Sequence, residues 1–154
     1  MTRRAEAASA TRRAEAANVA RRAEAANVTG KAGQEHKAQA AWAADCAERV
    51  LHYFEDAFPN DDRPRQAIEA ARAWARGEIR VGEARAAALA AHAAARDAAA
   101  GNHSSACAAA RAAGHAAATA HVASHARVVT FYVKKAKSHT TSEKPGAVAP
   151  RPHP

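Results

Sequence analysis

Large apolar side chains are scarce in this chain of 154 residues: Leu, Ile, Val and Phe together number 16, and aromatic residues make up 5%. An extended β domain needs β-branched and aromatic residues for its pleated surfaces, so this shortage excludes one. A bulky aromatic core is excluded on the same ground. Cys46 and Cys107 are the only cysteines, so no disulfide framework is implied and both thiols are expected reduced. No stretch approaches the roughly 20 consecutive apolar residues of a membrane span. The opening MTRRAEAASA has arginines but no apolar segment behind them, unlike a secretory signal. Glu6, Glu15 and Glu24 argue against a transit peptide. The seven glycines never cluster as GxGxxG or GxxxxGK, so no phosphate-cradling loop is implied. A cytoplasmic protein without membrane attachment or cofactor is the expectation.

What the chain has in excess is alanine, 51 residues or one in three. So few large apolar residues with a net charge of +8 would ordinarily suggest disorder. Alanine reverses that reading, because it is the best helix former and loses no side-chain entropy on ordering. The fold class expected is all-α, with thin, closely approached interfaces. Arginine outnumbers lysine 17 to 6, which together with the alanine suggests a GC-rich bacterial genome.

The charge is unevenly placed. Residues 1–40 carry +4, residues 41–100 carry −2, and residues 101–154 carry +6. A basic balance points to nucleic acid or an anionic surface. Here that inference attaches to the two ends, and the helical body is not expected to bind nucleic acid.

Three copies of one nonapeptide open the chain: TRRAEAASA (2–10), TRRAEAANV (11–19) and ARRAEAANV (20–28). The composition favours helix, but nine residues advance about 900°, so a stripe on one copy faces the opposite side in the next. Residues 1–34 therefore read as an arm that does not pack on the body, with Thr29–Gly33 as a flexible link. From residue 35 the pattern changes. Trp42, Cys46, Val50, Tyr53, Phe54, Ala57 and Phe58 recur at steps of three and four, predicting a helix over 35–58. Asp61 and Asp62 ahead of Pro64 start a second, over 64–76, which Gly77 ends. A third runs over 82–100, with Ala84, Ala88, Leu89, His92 and Ala95 in phase, and Gly101-Asn102 breaks it. Ser104 or Ser105 can cap a fourth, over 105–136. Its seam is Cys107, Ala110, Gly114, Ala118, His121, His125, Val128 and Tyr132. These helices, joined by short connections, predict a single antiparallel bundle of four over 35–136. The proline-rich 137–154 reads as a disordered tail. With so little area to bury, a homodimer or a bound partner is expected to complete the fold.

Within this pattern, Trp42-Ala-Ala-Asp45-Cys46-Ala-Glu48 is followed by Asp62-Arg63-Pro64-Arg65, Trp74-Ala-Arg76-Gly77, Gly82-Glu83-Ala-Arg85, Ala91-His92 and Gly114-His115. Over about 41–127 this succession resembles the all-helical, alanine-rich "putative immunity protein" family of bacterial toxin–immunity systems, related to the fifth immunity-protein class. The resemblance implies a non-enzymatic protein whose partner is a cognate toxin domain. The nonapeptide arm stands outside the family pattern, and the chain departs from it again after the fourth helix.

Candidate chemistry is sparse. His121 and His125 are four apart, a spacing that lets two imidazoles meet one zinc ion, with His92 or Cys107 as a third ligand. The intervening Val122-Ala123-Ser124 lacks the glutamate of a zinc protease, and seam histidines in such a core are ordinarily packing residues. Ser104, His103 and Asp97 are too local in sequence to form a catalytic set. Cys46 and Cys107 read as small hydrophobes. The acidic group Asp45, Glu48, Glu55, Asp56, Asp61 and Asp62 carries more weight: with Arg49 it gives residues 45–62 a charge of −5. Complementary charge speeds encounter with a basic partner and fixes register. These six residues are the candidate partner-binding surface, against the ordinary reading of a solvated helix face. The function expected is toxin neutralisation by binding. The alternatives are nucleic-acid association through the basic arm and tail, or a metal-binding bundle.

Overall fold

The computed structural model describes residues 2–140, and the side chains of 6–23 and 30–139 among them. It is all-α: α1 Thr2–Ala57, α2 Arg63–Ala75, α3 Val81–Ala100, α4 Ser104–Ala118 and α5 His125–Thr140, with no strand among the described residues. The chain divides into two compact units, 1–35 and 36–154.

In the first unit the nonapeptide copies are helical, and of residues 6–23 all but Ser9 are exposed. The expected flexible link is not seen. Thr29–Gly33 is helical, and α1 has no boundary at residue 35. Gly30 and Gly33 each cost a helix up to about 1 kcal/mol relative to alanine, but good formers flank them and propagation outweighs single weak residues.

The second unit holds the core. Its fully buried apolar side chains are alanines except for Val50, Leu51, Phe54, Pro64, Ile68 and Val129. α4 is its centre: Ala106, Ala108–Ala110, Ala112–Gly114, Ala116 and Ala117 are buried around nearly the whole circumference. A helix apolar all round is a buried helix. α4 accordingly packs on α2, α3 and α5. His36 of α1 reaches the carbonyl of Thr119 at its end and lies 4.8 Å, ring to ring, from Trp74 of α2.

The ends of α2 and α3 are where the sequence places them, for reasons now visible. The carboxylate of Asp61 accepts the Arg63 N–H at 3.1 Å, and Pro64 sits in the first turn. At the other end Glu78 N–H donates to Ala73 and Gly77 N–H to Trp74, with Gly77 at φ +76. That is a Schellman closure, which a left-handed glycine favours. α3 closes the same way, His103 onto Ala98 and Asn102 onto Ala99. There the left-handed residue is Asn102, at φ 60, and not Gly101.

The predicted fourth helix is two. α4 stops at Ala118, residues 119–124 turn, and α5 returns along α4, placing Ala126, Val129 and Ala136 in the core. Neither proline nor glycine marks this reversal. Thr119 Oγ1 instead donates to the His115 carbonyl, and the amides of Ala120 and His121 reach back only three residues, tightening the last turn. α5 also continues to Thr140, so 137–140 are helical and not part of a disordered tail; residues 141–154 lie outside the described residues. No helix of the described residues is long and apolar enough to cross a membrane.

Candidate interaction surface

Of the acidic residues at 45–62, Asp45, Glu48, Glu55 and Asp61 are paired with arginines. α2 places three arginines against them. Arg65 forks onto Glu55 with bonds of 2.6 and 2.9 Å. Arg72 bridges Asp45, at 2.7 Å, and Glu48. Arg63 forks onto Asp61 at 2.6 and 2.9 Å and also reaches Asp97 of α3 at 2.7 Å. Arg76 is held by Glu78, at 2.7 Å. The hydrogen bond from Arg72 lowers the Glu48 pKa, and that from Arg63 lowers the Asp61 pKa. Asp62 accepts from Gln66 at 2.7 Å, and Asp56 is exposed. The Asp62-Arg63-Pro64-Arg65 segment that carries the family resemblance therefore acts as a buckle, fastening α2 to α1 and α3.

Trp42 and Leu89, each placed on an apolar face by phase, are instead 48% and 67% exposed. Helical phase assigns a face but does not determine whether another element covers it. Trp42 begins an exposed stripe on α1 that continues through Asp45, Arg49, His52 and Asp56. Beside it lies a groove of about 420 Å³, walled by Gln39 and Trp42 of α1, Ala123 and Ser124 of the α4–α5 turn, and Ala126 and Arg127 of α5.

The histidines are sorted differently from the sequence expectation. His121 is exposed on the α4–α5 turn and takes no part in a cluster. His115, which the seam omitted, instead joins His92 and His125. The Nδ1 atoms of His115 and His125 are 3.1 Å apart, within hydrogen-bond distance. The His92 ring meets His115 edge-on at 4.9 Å, and Tyr132 stacks on His115 at 5.3 Å. The buried Nδ1 of His92 has no hydrogen-bond partner among the described residues. Burial, then His92, His125 and Arg111, push the His115 pKa down to about 4. The trio brings together α3, α4 and α5, a juxtaposition no local spacing signals. No group of three ligating side chains among the described residues is arranged to hold a metal ion.

The two cysteines are free and half-buried, and burial raises the Cys46 thiol pKa, the opposite of what a nucleophile requires. Ser104 opens α4 but does not cap it. The cap residue is His103, while Asp97 is engaged by Arg63.

The site thus described is a helical face with one exposed indole, its charges largely tied internally. A family model described as "Imm-5 like putative immunity protein" matches residues 30–149, and the chain belongs to that family. No curated protein and no solved structure matches it.

Proposed function

We propose that this protein is a non-catalytic immunity protein that binds a cognate toxin domain and occludes it. The observation that carries the reading is Trp42, half-exposed on α1 within the span matched by the family and beside a groove closed by Arg127. Tryptophan and arginine dominate the residues that carry binding energy at protein interfaces. An exposed indole offers a partner a large apolar contact area with a polar N–H at its edge, which is why tryptophan is enriched at interfaces.

Asp45 and Asp56 lie on the same exposed stripe and Glu48 adjoins it. In this reading they meet basic groups of the toxin. Because Arg72 already holds Asp45 and Glu48, they bind as a preorganised pair rather than as mobile charges. Their contribution is to register and encounter, and the indole supplies the anchor.

Co-expression with the product of the adjacent reading frame tests this. The expected result is restored growth and a complex that co-elutes. Neither rescue nor complex would contradict it.

A further inference from the structure

From Ala98 to Thr140 the chain contains no Asp or Glu, while Arg111, Arg127, Lys134, Lys135 and Lys137 carry five positive charges. The described acidic residues of the second unit lie in α1, α2 and α3 and their connections, where the α2 arginines engage Asp45, Glu48, Glu55, Asp61 and Asp97. Among the described residues, no ion pair to a carboxylate engages Arg111 or Lys135.

Part of that charge converges on a cleft of about 250 Å³. Ser104, Cys107 and Arg111 of α4 form one wall, and Tyr132, Lys135 and His139 of α5 form the other. No described carboxylate pairs with Arg111, Lys135 or His139. Lys135 Nζ lies 6.0 Å from the Phe131 ring, a contact that holds the ammonium without neutralising it.

We propose that this cleft binds the phosphate group of a small ligand. Guanidinium, ammonium and imidazole groups, with the hydroxyls of Ser104 and Tyr132, offer more donors than one carboxylate can use. A phosphate presents three strong acceptor oxygens and close to two negative charges, which suits this donor set. Ser104 also opens α4, whose first-turn amides lack intrahelical acceptors and add positive potential. The cleft is small beside ordinary ligand pockets of roughly 300–1,000 Å³, so a compact phosphorylated molecule fits better than a polymer. The inference is independent of toxin binding, since no residue of the Trp42 groove lines the cleft.

The test is titration of the full chain with inorganic phosphate, pyrophosphate and citrate, followed by calorimetry and amide shifts. Saturable pyrophosphate binding is expected, with shifts confined to the neighbourhood of Ser104, Cys107, Arg111 and Lys135. Arg111→Gln and Lys135→Gln should each weaken it about tenfold, the scale of one lost charge-assisted bond. Arg85→Gln, exposed on α3 and outside the cleft, should leave it unchanged. Should Arg111→Gln unfold, the exposed Lys135→Gln carries the comparison. Failure to saturate at millimolar phosphate, equal weakening by all three variants, or tighter binding of citrate than of pyrophosphate would each overturn the assignment.

Discussion

The imidazole of His92 occupies the space that a side chain at Gly114 would need. A Cβ built on Gly114 would lie 2.6 Å from Cε1, 2.8 Å from Nδ1 and 2.9 Å from Nε2 of that ring. Glycine in the most buried helix is therefore what lets α3 and α4 close around the histidine cluster.

Gly114→Ala is expected to destabilise the second unit by about 1–2 kcal/mol, overpacking outweighing alanine's better helix propensity. His92→Ala together with Gly114→Ala should recover most of that loss, because the added methyl then has room. Urea midpoints of the two single variants and the double variant check this, and additive effects would mean the contact is not tight.

Acid should loosen the same cluster before it affects the carboxylates. His115 binds a proton more weakly in the folded protein, at about 4, than unfolded, at 6.5. Its neutral form thus contributes stability that is fully present above pH 6.5 and is lost as pH falls toward 4. By pH 5 the loss from this group is about 2 kcal/mol. His92, lowered by burial and then by Arg111, Arg96 and His125, acts in the same direction. Glu48 and Asp61, held low by arginines, lose their contribution only at more acid pH, below their ordinary 4.5 and 3.8. Chemical denaturation at pH 7.5 and pH 5, in the native chain and in His115→Leu, checks the sign; the variant should show the smaller pH dependence.

Arg72→Ala should cost on the order of 1 kcal/mol and no more, since its two acidic partners are well exposed. The cost should shrink in high salt. A thermal melt in dilute buffer and in concentrated NaCl measures both.

In the first unit, Gly30→Ala and Gly33→Ala meet nothing within 4 Å. Each should raise helicity, by up to about 1 kcal/mol of local helix stability. Far-UV dichroism should show this as a shallower, non-cooperative loss of signal on heating, with the cooperative transition of the second unit unmoved.

The parts of the fold legible in the sequence are those set by local chemistry. Pro64, Gly77 and the Gly101-Asn102 pair act on their own backbone, and the boundaries of α2 and α3 follow from them. The break after Ala118 has no such residue; packing α5 back onto α4 determines it, and that is a non-local gain. Gly30 and Gly33 read as a link because their cost is local while helix cooperativity is not. The site divides in the same way. The acidic residues are visible in the sequence, but the arginines that bind them come from another helix, up to 27 positions away. Trp42 is visible as an apolar residue in phase, and its exposure depends on which neighbour fails to cover it. His115 was missed because its partners lie on α3 and α5.

The most direct test is the dissociation constant of the purified complex with the adjacent gene's product, native chain against Trp42→Ala. Loss of a central indole anchor should cost 2 kcal/mol or more, about thirtyfold or greater in affinity, while the melting temperature of the unbound protein stays within a few degrees. Unchanged affinity with an intact fold would show that the α1 face is not where the toxin is held.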